Sequence, residues 1–244
     1  MTNNHSSPPV ALITGGSAGL GLALAGFLAA QGYDLILTGR DAHRLNAAIA
    51  DLQERGRRLQ GIPGDVADPV HRRALAEAVA TRGRLDLLVN NASSLGPLPM
   101  PELAGYPLDG LREVLEINTI APLALVQELR PWLAAGRGLV VNLTSDAARG
   151  GYAGWGGYGA SKAALELLSL TLAEELGEAG VYTVIVDPGD MRTRMHQDAF
   201  PGEDISDRPL PDETLPFWGW LLGQEPATLN GRRLQAQAEQ WEAA

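Results

Sequence analysis

Tyr158 and Lys162 stand four residues apart at the start of an apolar stretch, and Ser145 lies thirteen residues before the tyrosine. Residues four apart on a helix share a face, so a helix over 156–179 would point the phenol and the ammonium into one cleft. A neighbouring cation favours phenolate and lowers a tyrosine pKa. A tyrosine tuned in that way exchanges a proton near neutral pH. A serine hydroxyl carried on the end of an adjacent strand could hold a substrate oxygen beside it. These three groups suffice to move a proton to or from an alcohol or carbonyl oxygen. The Tyr-x-x-x-Lys pair alone recurs by chance on helix surfaces, so the elements around it must decide the reading.

Those elements alternate. Short apolar runs at 10–14, 34–38, 59–63, 85–90, 138–143 and 181–186 read as strands, and 232–235 adds one more. Helical periodicity marks 19–31, 41–55, 69–82, 111–117, 119–134 and 156–179, with Pro69 suited to a first helical turn. Strands alternating with helices predict an α/β fold, a doubly wound parallel sheet in a three-layer α/β/α arrangement. No repeat or interior linker breaks the pattern, so one domain over 1–244 is expected, with 1–9 as a flexible tail. From 187 to 223 the periodicity fails, while prolines, methionines and Phe217, Trp218 and Trp220 accumulate. A long irregular stretch in a compact domain is usually functional, and 190–223 is read as a substrate lid.

The run from Thr14 to Gly21 follows the first strand and opens the first helix. Gly15, Gly19 and Gly21 permit a tight turn and close backbone approach. The free amides and dipole of the helix start favour a pyrophosphate, which places Ser17 and Leu20 beside it as well. No Gly-Lys-Ser/Thr follows, so an NTP-binding loop is excluded. At the end of the second strand an acid would hold a ribose 2′-hydroxyl and an arginine a 2′-phosphate. Arg40 therefore favours NADP(H) over NAD(H), and Asp41 is read as a cap of the next helix.

A formal net charge of −10 argues against binding nucleic acid through its phosphates. There is no cysteine, hence no disulfide or thiolate metal site. His5, His43, His71 and His196 are not at metal-ligand spacing, so no metal is expected. No apolar run reaches membrane-spanning length, and the polar start lacks a signal core; a cytoplasmic protein is expected.

With these residues together, the chain resembles the short-chain dehydrogenase/reductase superfamily in its compact single-domain branch, over roughly 10–193. The glycine motif from Thr14 to Gly21 matches. So do Asp65-Val66 after the third strand, Asn90-Asn91-Ala92 ending the fourth, and Asn118 in the mid-chain helix. Ser145, Tyr158 and Lys162 match the catalytic set, and Pro188-Gly189 with Thr193 matches the segment that closes on nicotinamide. The resemblance implies a Rossmann-type fold and hydride transfer between nicotinamide and a carbonyl or secondary alcohol. It implies Tyr158 as general acid or base, Lys162 as its tuner and ribose contact, Ser145 as the substrate-oxygen donor, and Asn118 as anchor of a water linking Lys162 to solvent. Gly15, Ser17, Gly19, Leu20, Gly21, Arg40, Asp65, Val66, Asn91, Ala92, Pro188, Gly189, Met191 and Thr193 would join Tyr158 and Lys162 around the cofactor.

The chain departs from the family at Ser93, where glycine usually follows Asn-Asn-Ala. It lacks the basic residue that many NADP(H) members carry inside the glycine motif. The usual Asp-Gly-Gly ending is absent. Leu95, Trp155, Met195 and Trp218 are read with Ser145 as substrate contacts, which predicts an apolar or aromatic carbonyl compound. The loop 91–96 is similar to that of sepiapterin and benzil reductases. An NAD-dependent alcohol or sugar dehydrogenase, or a cofactor-binding regulator without catalysis, are the competing readings. The resemblance also implies a homodimer or homotetramer paired through the helices at 119–134 and 157–179, where Ala160, Ala163 and Ala164 leave room for close approach.

Overall fold

The computed structural model of the chain describes residues 7–53 and 58–242. The strands β1 (Val10–Thr14), β2 (Asp34–Gly39), β3 (Leu59–Pro63), β4 (Leu87–Asn90), β5 (Leu139–Leu143), β6 (Tyr182–Asp187) and β7 (Arg232–Gln235) form one sheet in the order β3-β2-β1-β4-β5-β6-β7. Every neighbouring pair is parallel. This is the Rossmann-type α/β fold. All C-terminal strand ends therefore lie along one crest, and the order reverses direction between β1 and β4, where such sheets bind ligands.

Parallel strands covered on both faces read as continuous apolar runs. Successive side chains of β1 alternate between faces. Ala11 and Ile13 join one core cluster with α1 (Gly19–Ala30) and α2 (Ala42–Gln53). Val10 and Leu12 join the other, with α3 (Pro69–Ala80) and the helix at Ala121–Gly136. Asp68 caps α3, its Oδ1 accepting from the Val70 amide at 2.8 Å, with Pro69 in the first turn.

Three expectations need correction. The tail ends before residue 9, because the Pro9 carbonyl accepts from the Asp34 amide at 2.8 Å; residues 1–6 lie outside the described residues, as does the end of the helix read at 41–55. The two helices read at 111–117 and 119–134 are one helical path: α4 (Leu108–Leu115), a π-helical turn (Glu116–Ile120) and α5 (Ala121–Gly136). The stretch read as a lid carries short helices too brief for a periodic signal. These are α7 (Arg194–Ala199) and α8 (Leu215–Leu222), which follow the long α6 (Gly156–Leu176) and β6 in the chain.

Candidate active site

At the sheet crest α1 begins at Gly19 with no side chain capping it, so its first-turn amides are left to other partners. Gly15 has φ 66°, and a Cβ there would sit 2.7 Å from Asn91 Nδ2. A Cβ on Gly21 would collide with the Gly15 carbonyl. Asn91 Nδ2 donates to the carbonyls of Thr14 and Gly15 at 2.8 and 3.1 Å. Thr14 Oγ1 accepts from the amides of Asn91 and Ala92, both at 3.0 Å. The ends of β1 and β4 thereby hold the glycine loop open toward solvent.

A cavity of about 380 Å³ crosses the crest from β2 to β5. Gly15, Ser17, Gly19 and Leu20 line its middle, while Gly21 lies behind, packed on the loop it makes possible. Arg40, Asp41 and Arg44 line it beyond β2, and Asp65 and Val66 beyond β3. Asn91 and Ala92 form part of its floor, and Tyr158 and Lys162 its far end with Pro188, Met191 and Thr193. Asp41 caps α2 as read, its Oδ1 accepting from the Arg44 amide at 3.0 Å. Uncapped amides, a backbone no side chain can crowd, and two guanidiniums fit a nicotinamide dinucleotide.

A second cavity of about 390 Å³ adjoins the first. Ser145 and Tyr158 line it, with Leu95, Trp155 and Met195 as apolar wall. Gly189 lines this second cavity, and Pro188, Met191, Thr193 and Met195 line both. Tyr158, expected to be the proton donor, also borders both spaces. The Trp155 ring meets its ring edge-on at 5.6 Å. Ser145 Oγ donates to Asp146 Oδ1 at 2.9 Å and accepts from the Ala147 amide at 3.2 Å.

Lys162 is buried, and Nζ donates to the Leu143 carbonyl at 2.9 Å. Burial pushes its pKa down to about 8. Its Nζ lies 5.6 Å from the centre of the Tyr158 ring. The lowered tyrosine pKa expected from the spacing is not found in the protein alone. Burial pushes the Tyr158 phenol up, a hydrogen bond from Ser93 opposes this, and the charges of Asp187, Asp146 and Asp190 add to the rise. The ammonium is committed to a carbonyl and does not offset desolvation of the phenolate.

The Asn118 side chain is fully engaged. Its Oδ1 accepts from the Ser94 amide (2.8 Å) and Ser93 Oγ (3.2 Å); its Nδ2 donates to the Ser94 carbonyl and Ser161 Oγ, both at 2.9 Å. An amide side chain has two acceptor and two donor positions, and all four are used, so this side chain has no valence left for a water. It pins the Ser93–Ser94 loop to α6 through the π-helical turn, a feature frequent at functional sites.

Trp218 is corrected outright. It is 1 % exposed, belongs to the core cluster, and lines neither cavity. It packs edge-on against Phe217, and α8 lies against α1. Only the first part of the 190–223 stretch faces the cleft. The residues the sequence did not single out are Thr144, Asp146, Glu166, Asp187 and Arg233, which surround Ser145 from behind and beside. The acid next to Ser145 was a readable signal; the others meet only through the fold.

Comparison with known proteins agrees with this geometry. The family described as short chain dehydrogenase matches residues 9–204. The uncharacterized oxidoreductase YciK of Escherichia coli is 32 % identical over 93 % of this chain and 91 % of its own length. Serine 3-dehydrogenase of Agrobacterium fabrum is 37 % identical over 75 % of this chain and 72 % of its own. The structure of a Shigella flexneri short chain dehydrogenase complexed with NADP is 30 % identical, with TM-score 0.88 over 97 % of this chain and all of the other. The chain belongs to the short-chain dehydrogenase/reductase superfamily, and is an oxidoreductase of CH–OH and C=O groups.

Proposed function

We propose that the protein is an NADP(H)-dependent oxidoreductase of a small carbonyl compound or secondary alcohol with an apolar or aromatic body. One observation carries the reading: Tyr158 stands where the dinucleotide-shaped cavity meets the apolar one, with Lys162 on one side and Ser145 on the other. A bound nicotinamide supplies or takes the hydride. The chain does the rest. Ser145 Oγ holds the substrate oxygen, and turning it from Asp146 toward that oxygen exchanges one hydrogen bond for another. Tyr158 gives its proton to that oxygen in reduction and takes it back in oxidation. Lys162 gives one of its three donors to the Leu143 carbonyl, and the other two would hold the nicotinamide ribose. Any water relay through Asn118 runs by its main chain, because its side chain is saturated.

Arg40 and Arg44 at the β2 end favour a 2′-phosphate, and the Shigella flexneri relative is complexed with NADP. Of the described residues lining the second cavity, Asp146, Asp187 and Asp190 are acidic and none is Lys or Arg. That balance favours neutral or cationic carbonyl compounds over carboxylates. Ile120, Leu167 and Leu170 are exposed on the π-helical turn and α6, which supports pairing of two copies there; a monomer in light scattering would remove that part. The test is consumption of NADPH and NADH across aromatic ketones bearing neutral, amino or carboxylate substituents. Turnover with NADPH in the order neutral or amino above carboxylate is expected. No oxidation of either cofactor by any of them would defeat the reading.

A further inference from the structure

Behind Ser145 a single guanidinium joins four elements. Arg233, on β7, is largely buried, and its Nε donates to Glu166 Oε1 on α6 at 2.8 Å. Its Nη2 donates to Asp187 Oδ2 at the end of β6 at 3.0 Å, and to the main-chain carbonyl of Ser145 at 3.2 Å. Glu166 lies one turn beyond Lys162 on α6 and also accepts from Thr144 Oγ1 at 2.7 Å, the residue before Ser145. Asp187 is followed directly by Pro188-Gly189. Further along the same C-terminal segment, Gln237 Nε2 donates to the carbonyls of Pro188 and Asp190 at 3.0 and 2.8 Å.

The chemistry of this arrangement is specific to arginine. Only a planar fork reaches two carboxylates and a carbonyl at fixed angles; an ammonium presents a point charge on a flexible stem. Burial alone would raise the Glu166 pKa, but the bonds from Arg233 and Thr144 hold it below the usual carboxylate range. The fork therefore connects the substrate-oxygen donor, the helix that carries Lys162, and the corner that leads to Pro188.

We propose that Arg233 is a positioning residue of the reaction, setting from the last strand the placement of Ser145 and of the Asp187–Pro188 corner relative to α6. The inference rests on Ser145 and Tyr158 acting as proposed above. A purely structural cross-link would change stability and leave the role of Ser145 untouched, and kinetics separate the two.

The experiment compares wild type, Arg233→Lys, Ser145→Ala and the double variant in NADPH oxidation with a neutral aromatic ketone, alongside NADPH Kd by fluorescence and Tm. For Arg233→Lys the expected result is NADPH affinity within about twofold of wild type and kcat lower by about 10- to 100-fold, the scale of a misplaced reacting group. The Ser145→Ala loss should shrink in the Arg233→Lys background, because the serine is already displaced. A wild-type kcat in Arg233→Lys with only Tm lowered, or fully additive losses in the double variant, would overturn the proposal. If Arg233→Lys does not fold, Arg233→Gln combined with Glu166→Gln, which removes both charges of that buried pair, is measured against the same two outcomes. Absence of turnover in the wild type itself would instead strike at the underlying reading, and is told apart by that control.

Discussion

The two ends of the cleft are built on different principles. The β2 end presents Arg40, exposed, and Asp41 and Arg44, paired with each other at 3.3 Å near the surface. Its rigid part is backbone: a glycine loop held by Thr14 and Asn91. The Tyr158 end is made of buried side chains that satisfy one another, from Asn118 and Ser161 to Lys162 on the Leu143 carbonyl. Exposed charges are screened and contribute little individually. Buried polar groups contribute strongly when paired and cost much when not. The first end can vary its ligand cheaply; the second fixes geometry at the expense of desolvating charged groups.

The largest effect should come from the buried end. Tyr158→Phe keeps the ring and removes the proton, and should lower kcat by about 10²–10⁴-fold, with NADPH affinity within about twofold by fluorescence titration. Near-normal turnover in this variant would erase the contrast between the two ends as far as chemistry goes.

Lys162→Met should lose turnover as well, yet gain stability. A folded-state value of about 8 against the ordinary 10.5 corresponds to about 3 kcal/mol of stability sacrificed at neutral pH. Because the folded value lies below the unfolded one, the unfolded chain holds more protons between about 8 and 10.5. Wild-type stability contributed by this group therefore rises with pH through that window, whereas the penalty is complete below it. Thermal unfolding from pH 7 to 10 should show Lys162→Met more stable at pH 7 and the gap narrowing as pH rises. A variant less stable at pH 7 would show that the lysine's hydrogen bond to Leu143 outweighs its desolvation.

The exposed end should respond least. Arg40→Ala should raise the KM for NADPH by about tenfold, the scale of one charge-assisted phosphate contact, while the KM for NADH and Tm stay near wild type. An equal effect on both cofactors would mean that Arg40 reads no phosphate.

Much of this was legible in the sequence because its signals are local. The strands 10–14, 59–63 and 232–235 appear with the boundaries read for them, and the glycine loop stands where a strand passes into a helix. What escaped depends on distance along the chain. Arg233 and Glu166 are 67 positions apart, and no periodicity announces their meeting. The π-helical turn looked like a break between two helices, because the four bonds of Asn118 that hold it come from loops and from α6. Trp218 drew the wrong reading because an aromatic residue among prolines gives the same composition whether it lines a cleft or fills a core.

The burial of Phe217 and Trp218 has a consequence for how the enzyme could diversify. The segment from Asp190 to Leu210 is moored at one end by Gln237 and at the other by those two rings against α1. Closure entropy grows slowly with loop length, so residues between the moorings can be exchanged, shortened or extended at small thermodynamic cost. Only the part beyond Met195, the last residue of this segment to line the nucleotide cavity, is free to serve as such a replaceable cassette.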